Sequence, residues 1–138
     1  MAESLLHMEL VRIIASYTET ITPSFVSSLL DADLPEYGQR TPRVFNGYYP
    51  DIRYRDKYII ALGEAKTDHD ILNEHTEGQL AAYIEEVRSY ALQRHIIYCV
   101  PFVSFIQVKN LLRRLKSQNR LNDIVFHVLD NFNRAATL

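Results

Sequence analysis

Pro50-Asp-Ile-Arg-Tyr-Arg-Asp-Lys-Tyr-Ile-Ile-Ala-Leu-Gly-Glu-Ala-Lys66 is the stretch that sets the architecture of this chain. Its β-branched and aromatic residues fall in two runs, 51–55 and 58–66, on either side of the polar pair Asp56-Lys57, which is the pattern of a β-hairpin. Alternate side chains of a strand share a face, so Ile60, Leu62, Glu64 and Lys66 point one way and Ala61, Gly63 and Ala65 the other. The small-residue face lets a helix approach closely. Two charges at the end of the other face are out of place unless they serve each other or a ligand. With a two-residue turn at Asp56-Lys57, Asp51 falls opposite Leu62 and diagonal to Glu64, on the same face; a turn at Arg55-Asp56 keeps that face, and a three-residue turn reverses it.

Outward from the hairpin the periodicity changes to helical. Leu6, Leu10, Ile13, Ile14 and Tyr17 predict a helix over 3–19, and Thr22-Pro23-Ser24 predicts a second, short helix through Leu30. Residues 31–43 read as irregular. Downstream, Thr76-Glu-Gly-Gln79 has the form of a capping box, and Leu80, Tyr83, Ile84, Val87 and Ala91 predict a helix to about residue 94. The apolar run His95–Val100 fits a strand buried on both faces, Ser104 fits the cap of a helix to about residue 116, and 123–129 fits a last strand. The order α-α-β-β-α-β-α-β predicts an α/β fold, a mixed central sheet flanked by helices.

Composition bounds the function. A chain of 138 residues with 47% apolar side chains predicts one domain spanning 1–138. No window of eighteen apolar residues appears, and the start lacks the basic and apolar regions of a signal peptide, so a cytoplasmic protein without a membrane span is expected. Cys99 is the one cysteine, placed in an apolar run where a buried, inert thiol is expected. Fifteen Lys and Arg against seventeen Asp and Glu give a net charge of −2. That weighs mildly against nucleic-acid binding, although clustering of the basic residues matters more than their sum.

Carboxylates placed opposite or diagonally across a strand pair lie within roughly 5–8 Å and can share one divalent cation. A hard, oxygen-rich site of that kind suits Mg²⁺ or Mn²⁺. Lys66 would orient a metal-bound water and offset charge developing at phosphorus.

Gly47-Tyr-Tyr-Pro50-Asp51, followed after twelve residues by Glu64-Ala65-Lys66, resembles the PD-(D/E)xK nuclease superfamily, and Gln79-Leu-Ala-Ala-Tyr83 looks like the Q-x-x-x-Y signature of its RecB-like branch. The resemblance implies a restriction-endonuclease-like core and a Mg²⁺-dependent nuclease, a hydrolase acting on phosphodiester bonds of DNA or, less often, RNA. It implies Asp51 and Glu64 as metal ligands, Lys66 as the catalytic lysine, Gln79 beside that lysine, Tyr83 near the substrate backbone and Glu9 as a further acidic ligand. The upstream histidine motif of RecB-type exonucleases is missing, since His7 falls within the first helix. A second reading keeps the same fold as a non-catalytic module that binds nucleic acid or docks a protein.

Blander readings stand beside these. The Asp51, Glu64 and Lys66 cluster also fits a surface salt-bridge group. Gln79 also fits the partner of a Thr76 cap, and Tyr83 a core residue. Arg53 and Arg55 share strand parity with Asp51 and so fit the wall of a substrate groove. Arg113 and Lys116 lie on an amphipathic helix as either a phosphate-contacting ridge or a solvated face. Tyr48, Tyr49, Tyr54 and Tyr58 fit base stacking or packing. Thr67–Asp70 reads as a solvated loop, and His75, His95 and His127 show no partner spacing. One small domain with one site is expected to act on two strands as a homodimer.

Overall fold

The computed structural model describes residues 4–38, 47–67 and 74–138. Helix α1 spans Leu5–Ile21, with the Ser4 hydroxyl accepting from the His7 N–H at its start. Strands β1 (Leu30–Ala32), β2 (Ile52–Arg55) and β3 (Ile59–Ala65) follow. Then come α2 (Glu74–Arg88), β4 (Gln93–Val100), α3 (Phe105–Gln118), β5 (Val125–Asp130) and β6 (Ala135–Thr137). The six strands form one open sheet in the order β1-β2-β3-β4-β5-β6, with β3-β4 and β4-β5 parallel and the other pairs antiparallel. This is the expected α/β architecture with a mixed sheet flanked by helices.

Two cores lie on the two faces. On one, α2 and α3 bury Leu80, Tyr83, Val87, Val108 and Leu112 against Ile60, Leu62, Ile96 and Phe126. On the other, α1 buries Leu10, Val11, Ile14 and Ala15 against Ile52, Tyr54, Ala61 and Ile97. Gly63 makes the second contact possible: a Cβ there would stand 2.5 Å from Cγ2 of Ile14. The small-residue face of β3 therefore does what its composition suggests.

Several expectations are corrected. No second helix forms over 22–30; a 3₁₀ turn, Ser27–Leu29, leads into β1 instead. There Leu30 and Ala32 are fully buried beside Tyr54 and Ile52, more burial than one helical turn at the surface would give. Strand β6 is a further element outside the expected order, because three residues carry too short an alternation to distinguish from a loop. The β2–β3 turn is Lys57-Tyr58, one residue later than expected, because Asp56 Oδ1 accepts from the N–H groups of both Tyr58 and Ile59. Thr76 lies inside α2, which begins at Glu74, and so is not the residue that precedes the helix. Ser104 occupies the N-cap of α3 without a side-chain cap bond. Of the loop reading for Thr67–Asp70, residues 68–70 lie outside the described residues, as do 39–43 of the irregular stretch.

Among the described residues no helix is long and apolar enough to cross a membrane. Cys99 is fully buried, and burial pushes its thiol up to about 12, so it is inert as a nucleophile.

Under the C-terminal half of α1, the Tyr17 hydroxyl lies 2.7 Å from His127 Nδ1, and His127 Nε2 lies 2.8 Å from His95 Nδ1. Burial, with His95 and Lys116 nearby, holds the His127 imidazole at about 4, below the ordinary 6.5, and burial lowers His95 as well. The unfolded chain then binds more protons than the native one between these values, so stability is complete above about pH 6.5 and is lost as pH falls toward 4. Replacing His127 by Leu should flatten this acid limb by about 2 kcal/mol. Denaturant midpoints from about pH 7 to about pH 4.5 check this; a limb as steep in the variant as in the wild type would contradict it.

Candidate active site

Strand β3 ends in the site. All seven of its residues are buried, and its penultimate residue is Glu64, with 7% of its surface exposed. Register pairs Ile52 with Gly63, so Asp51, just before β2, meets Glu64 across the ladder. That pairing is two residues along from the one expected and leaves Asp51 on the same face.

Pro50-Asp51 explains how the ladder ends. A proline has no N–H to donate, and the chain bends at Asp51. The Asp51 N–H still donates to the Gly63 carbonyl at 3.0 Å. Its carboxylate then takes over the role of a strand carbonyl, with Oδ2 accepting the Ala65 N–H at 2.9 Å. The Asp51 side chain is thus tied to the backbone next to Glu64.

Glu64 is held from three directions. Tyr83 of α2 donates its hydroxyl to Oε2 at 2.8 Å, and Gln79, one turn earlier, also hydrogen-bonds the carboxylate. Lys66 Nζ stands 3.9 Å from Oε1, with both side chains largely buried. Burial first, and the Asp51 charge second, push Glu64 up to about 8; Lys66, Tyr83 and Gln79 pull in the other direction without cancelling the shift.

Helix α1 brings His7 to the same place, with Nε2 3.3 Å from Asp51 Oδ2. His7 is the site residue that motif matching missed. A signal was available, since it heads the buried stripe His7, Leu10, Val11, Ile14 at helical spacing.

The remaining candidates are distributed differently. Tyr83, expected near a substrate backbone, is fully buried behind Glu64 with its hydroxyl on the carboxylate. Glu9, two residues beyond His7 and hence on another side of α1, is exposed and lines a groove with Asp130 and Arg134. Arg53 reaches Glu86 and the Tyr90 hydroxyl, and Arg55 stacks over the Tyr90 ring, so both join the hairpin to the end of α2. Arg113 and Lys116 sit toward the end of α3 that leads into the start of β5, roughly 12–16 Å along the helix from Phe105. The structure therefore joins Asp51, Glu64, Lys66, Gln79, Tyr83 and His7, and sets Glu9, Arg113 and Lys116 apart.

A divalent cation fits this donor set. Two buried carboxylates repel, and the Gln79 side-chain oxygen is buried with no hydrogen-bond partner, an acceptor suited to a water held by the cation. Among the described residues no three His, Cys, Asp or Glu side chains converge on one metal position. Asp51 and Glu64 would be the protein ligands, water or substrate oxygens completing the shell as Mg²⁺ prefers. The fold and site together define an α/β domain with an acid–acid–lysine cluster at the carboxyl end of its parallel strands, the usual ligand position in open α/β sheets. Comparison with protein-family models, curated proteins and solved structures finds no match to this chain.

The raised Glu64 makes a stability prediction for the metal-free protein. A carboxyl that ionises near 8 in the fold and near 4.5 when unfolded contributes stability that is present below 4.5 and is lost as pH rises through 8. Glu64→Gln, a neutral isostere that keeps one acceptor oxygen for Tyr83 or Gln79, should gain on the wild type by about 1–3 kcal/mol as pH rises from about 5 to above 8. Chemical denaturation across this range tests it; a pH-independent difference would remove burial of the charge as the cause.

Proposed function

We propose that this chain is a divalent-metal-dependent nuclease with a restriction-endonuclease-like core, hydrolysing phosphodiester bonds of DNA. The observation that carries the reading is the buried Glu64 carboxylate, set against Asp51 and Lys66 at the strand ends. A surface ion-pair cluster would leave these charges in water, where pairing is worth little. Here they are desolvated, an arrangement that costs stability and is kept where chemistry requires it. The order Pro50-Asp51, Glu64-x-Lys66, Gln79-x-x-x-Tyr83 supports the same reading through its resemblance to the PD-(D/E)xK superfamily.

Each residue then has a task. Asp51 and Glu64 hold Mg²⁺ or Mn²⁺, which when bound polarises a phosphoryl oxygen and acidifies water. Tyr83 and Gln79 fix the rotamer of Glu64, and His7 together with the Ala65 N–H fixes Asp51. Lys66 places a positive charge beside the reacting phosphate, where negative charge grows in the transition state.

Glu64→Ala and Lys66→Ala should each lower metal-dependent cleavage of DNA by about 10²-fold or more while the protein stays folded. Calorimetric titration should show Mn²⁺ binding to the wild type and its loss in Asp51→Ala/Glu64→Ala. His7→Ala should weaken Mn²⁺ by about 10-fold, the usual effect of removing a group that orients a ligand. Cleavage that survives unchanged in Glu64→Ala would place the activity elsewhere.

A further inference from the structure

The segment that carries Asp51 into the site is fastened to α2 at a point outside the roles assigned above. Tyr48, three residues before Asp51, is half-buried and packs against the apolar core of α2 and α3. Its ring lies against the His75 imidazole, with centroids 5.3 Å apart and planes tilted by 55°, and its hydroxyl rests on Gly78. His75 and Gly78 are i and i+3 on one helix face, so one turn of α2 forms the seat of the ring.

Gly78 makes that seat possible. A Cβ at this position would overlap Tyr48 Oη, whereas Cζ would stand 3.4 Å away, at the near limit of ordinary contact. A tyrosine turns only about the two torsions at its base, so its hydroxyl moves aside only if the whole ring swings. The core and His75 stand in the way of such a swing. Glycine is also among the poorest helix formers, and Gly78 is the fifth residue of α2, where alanine would serve the helix better. Helix preference is set aside here in favour of a close approach.

Both sides of the contact lead to the acids. From Tyr48 the chain reaches Asp51 through Tyr49 and Pro50. Proline fixes its own φ and holds the residue before it extended, so this link is stiff and passes a displacement of Tyr48 on to Asp51. From Gly78 the next residue is Gln79, whose side chain hydrogen-bonds Glu64. Asp51 and Glu64 therefore face each other across the strand ladder and are tied a second time through α2. Mg²⁺ demands near-ideal octahedral geometry, so the spacing of two carboxylates bears directly on affinity.

We propose that Tyr48 and Gly78 are a positioning pair for the acid–acid–lysine site: the hydroxyl seated on the glycine sets how far α2, with Gln79, stands from the Asp51 segment, and so sets the spacing of the two carboxylates for a divalent cation. The metal as ligand rests on the nuclease reading; the contact itself does not.

The test compares one substitution with and without the hydroxyl. Gly78→Ala should weaken Mn²⁺ binding, measured calorimetrically on the folded protein, by about 10-fold, the usual effect of disturbing a group that orients a ligand. In a chain that already carries Tyr48→Phe, adding Gly78→Ala should change Mn²⁺ affinity little, because the overlapping atom is gone and Cζ stands at ordinary contact distance. A contact that serves packing alone would move the thermal midpoint and leave the Mn²⁺ affinity of the folded protein where it was. Tyr48→Leu, which empties the seat without touching α2, should also weaken Mn²⁺ by about 10-fold, and it decides the question if Gly78→Ala does not fold. Wild-type Mn²⁺ affinity in these variants, or an equal loss from Gly78→Ala with and without the hydroxyl, would overturn the pair. DNA cleavage measured alongside reports on the nuclease reading separately. A wild type that binds and cuts, with variants that do the same, sinks only the pair; coupling in Mn²⁺ affinity without any cutting sinks only the nuclease; a wild type that neither binds nor cuts sinks both.

Discussion

Glu64 is a carboxylate at the end of a strand that otherwise buries only apolar and small side chains, and most of the surrounding structure answers to that charge. Isolated in such a place, an ionised acid would force the end of β3 open or remain protonated. Helix α2 is positioned to prevent the first, since Gln79 and Tyr83 occupy successive turns of one face and both reach the carboxylate. Lys66 counters the second in part, from the residue after the strand. A strand end and a helix face are thus bound to one another through a single polar group, while the bend at Asp51 is held to the same strand through the Ala65 N–H.

The two faces of the sheet contribute differently. On the face of α2 and α3 the contacts are broad and apolar, and the polar contacts that matter gather at one end. On the other face α1 lies close because Gly63 offers no side chain, and this closeness carries His7 across the end of the sheet to Asp51. A bulkier residue at position 63 would displace α1 by acting on Ile14, and the first consequence at the site would be separation of the imidazole from the carboxylate. A glycine with no polar function of its own thereby governs a polar contact.

Much of this was legible from residue order. The hairpin, the two helices that follow it and the buried strand between them come from periodicity, and that signal is strong where each face has one chemical character. The parity that puts Asp51 with Glu64 was also readable, because it survives a two-residue change of register. The exact turn was not, since Asp56 caps it through its side chain, a local preference that competes with the hydrophobic pattern. Strands β1 and β6 escaped because three-residue edge strands carry too short a pattern to be distinguished from loop. Tyr17, His95 and His127 come from three distant segments, and no spacing within any one of them signals that their side chains meet.

The sequential strand order has a consequence for how the chain assembles and stays dispersed. Each strand's neighbour in the sheet is its neighbour along the chain, so no strand must be inserted between two already paired, and the closures that build the sheet are local ones. Growth from the central β3-β4 pair ends on either side at a strand of only three residues. An edge that short offers a passing chain few free N–H and C=O groups to pair with, which limits sheet-to-sheet aggregation while the wide apolar interior is still forming.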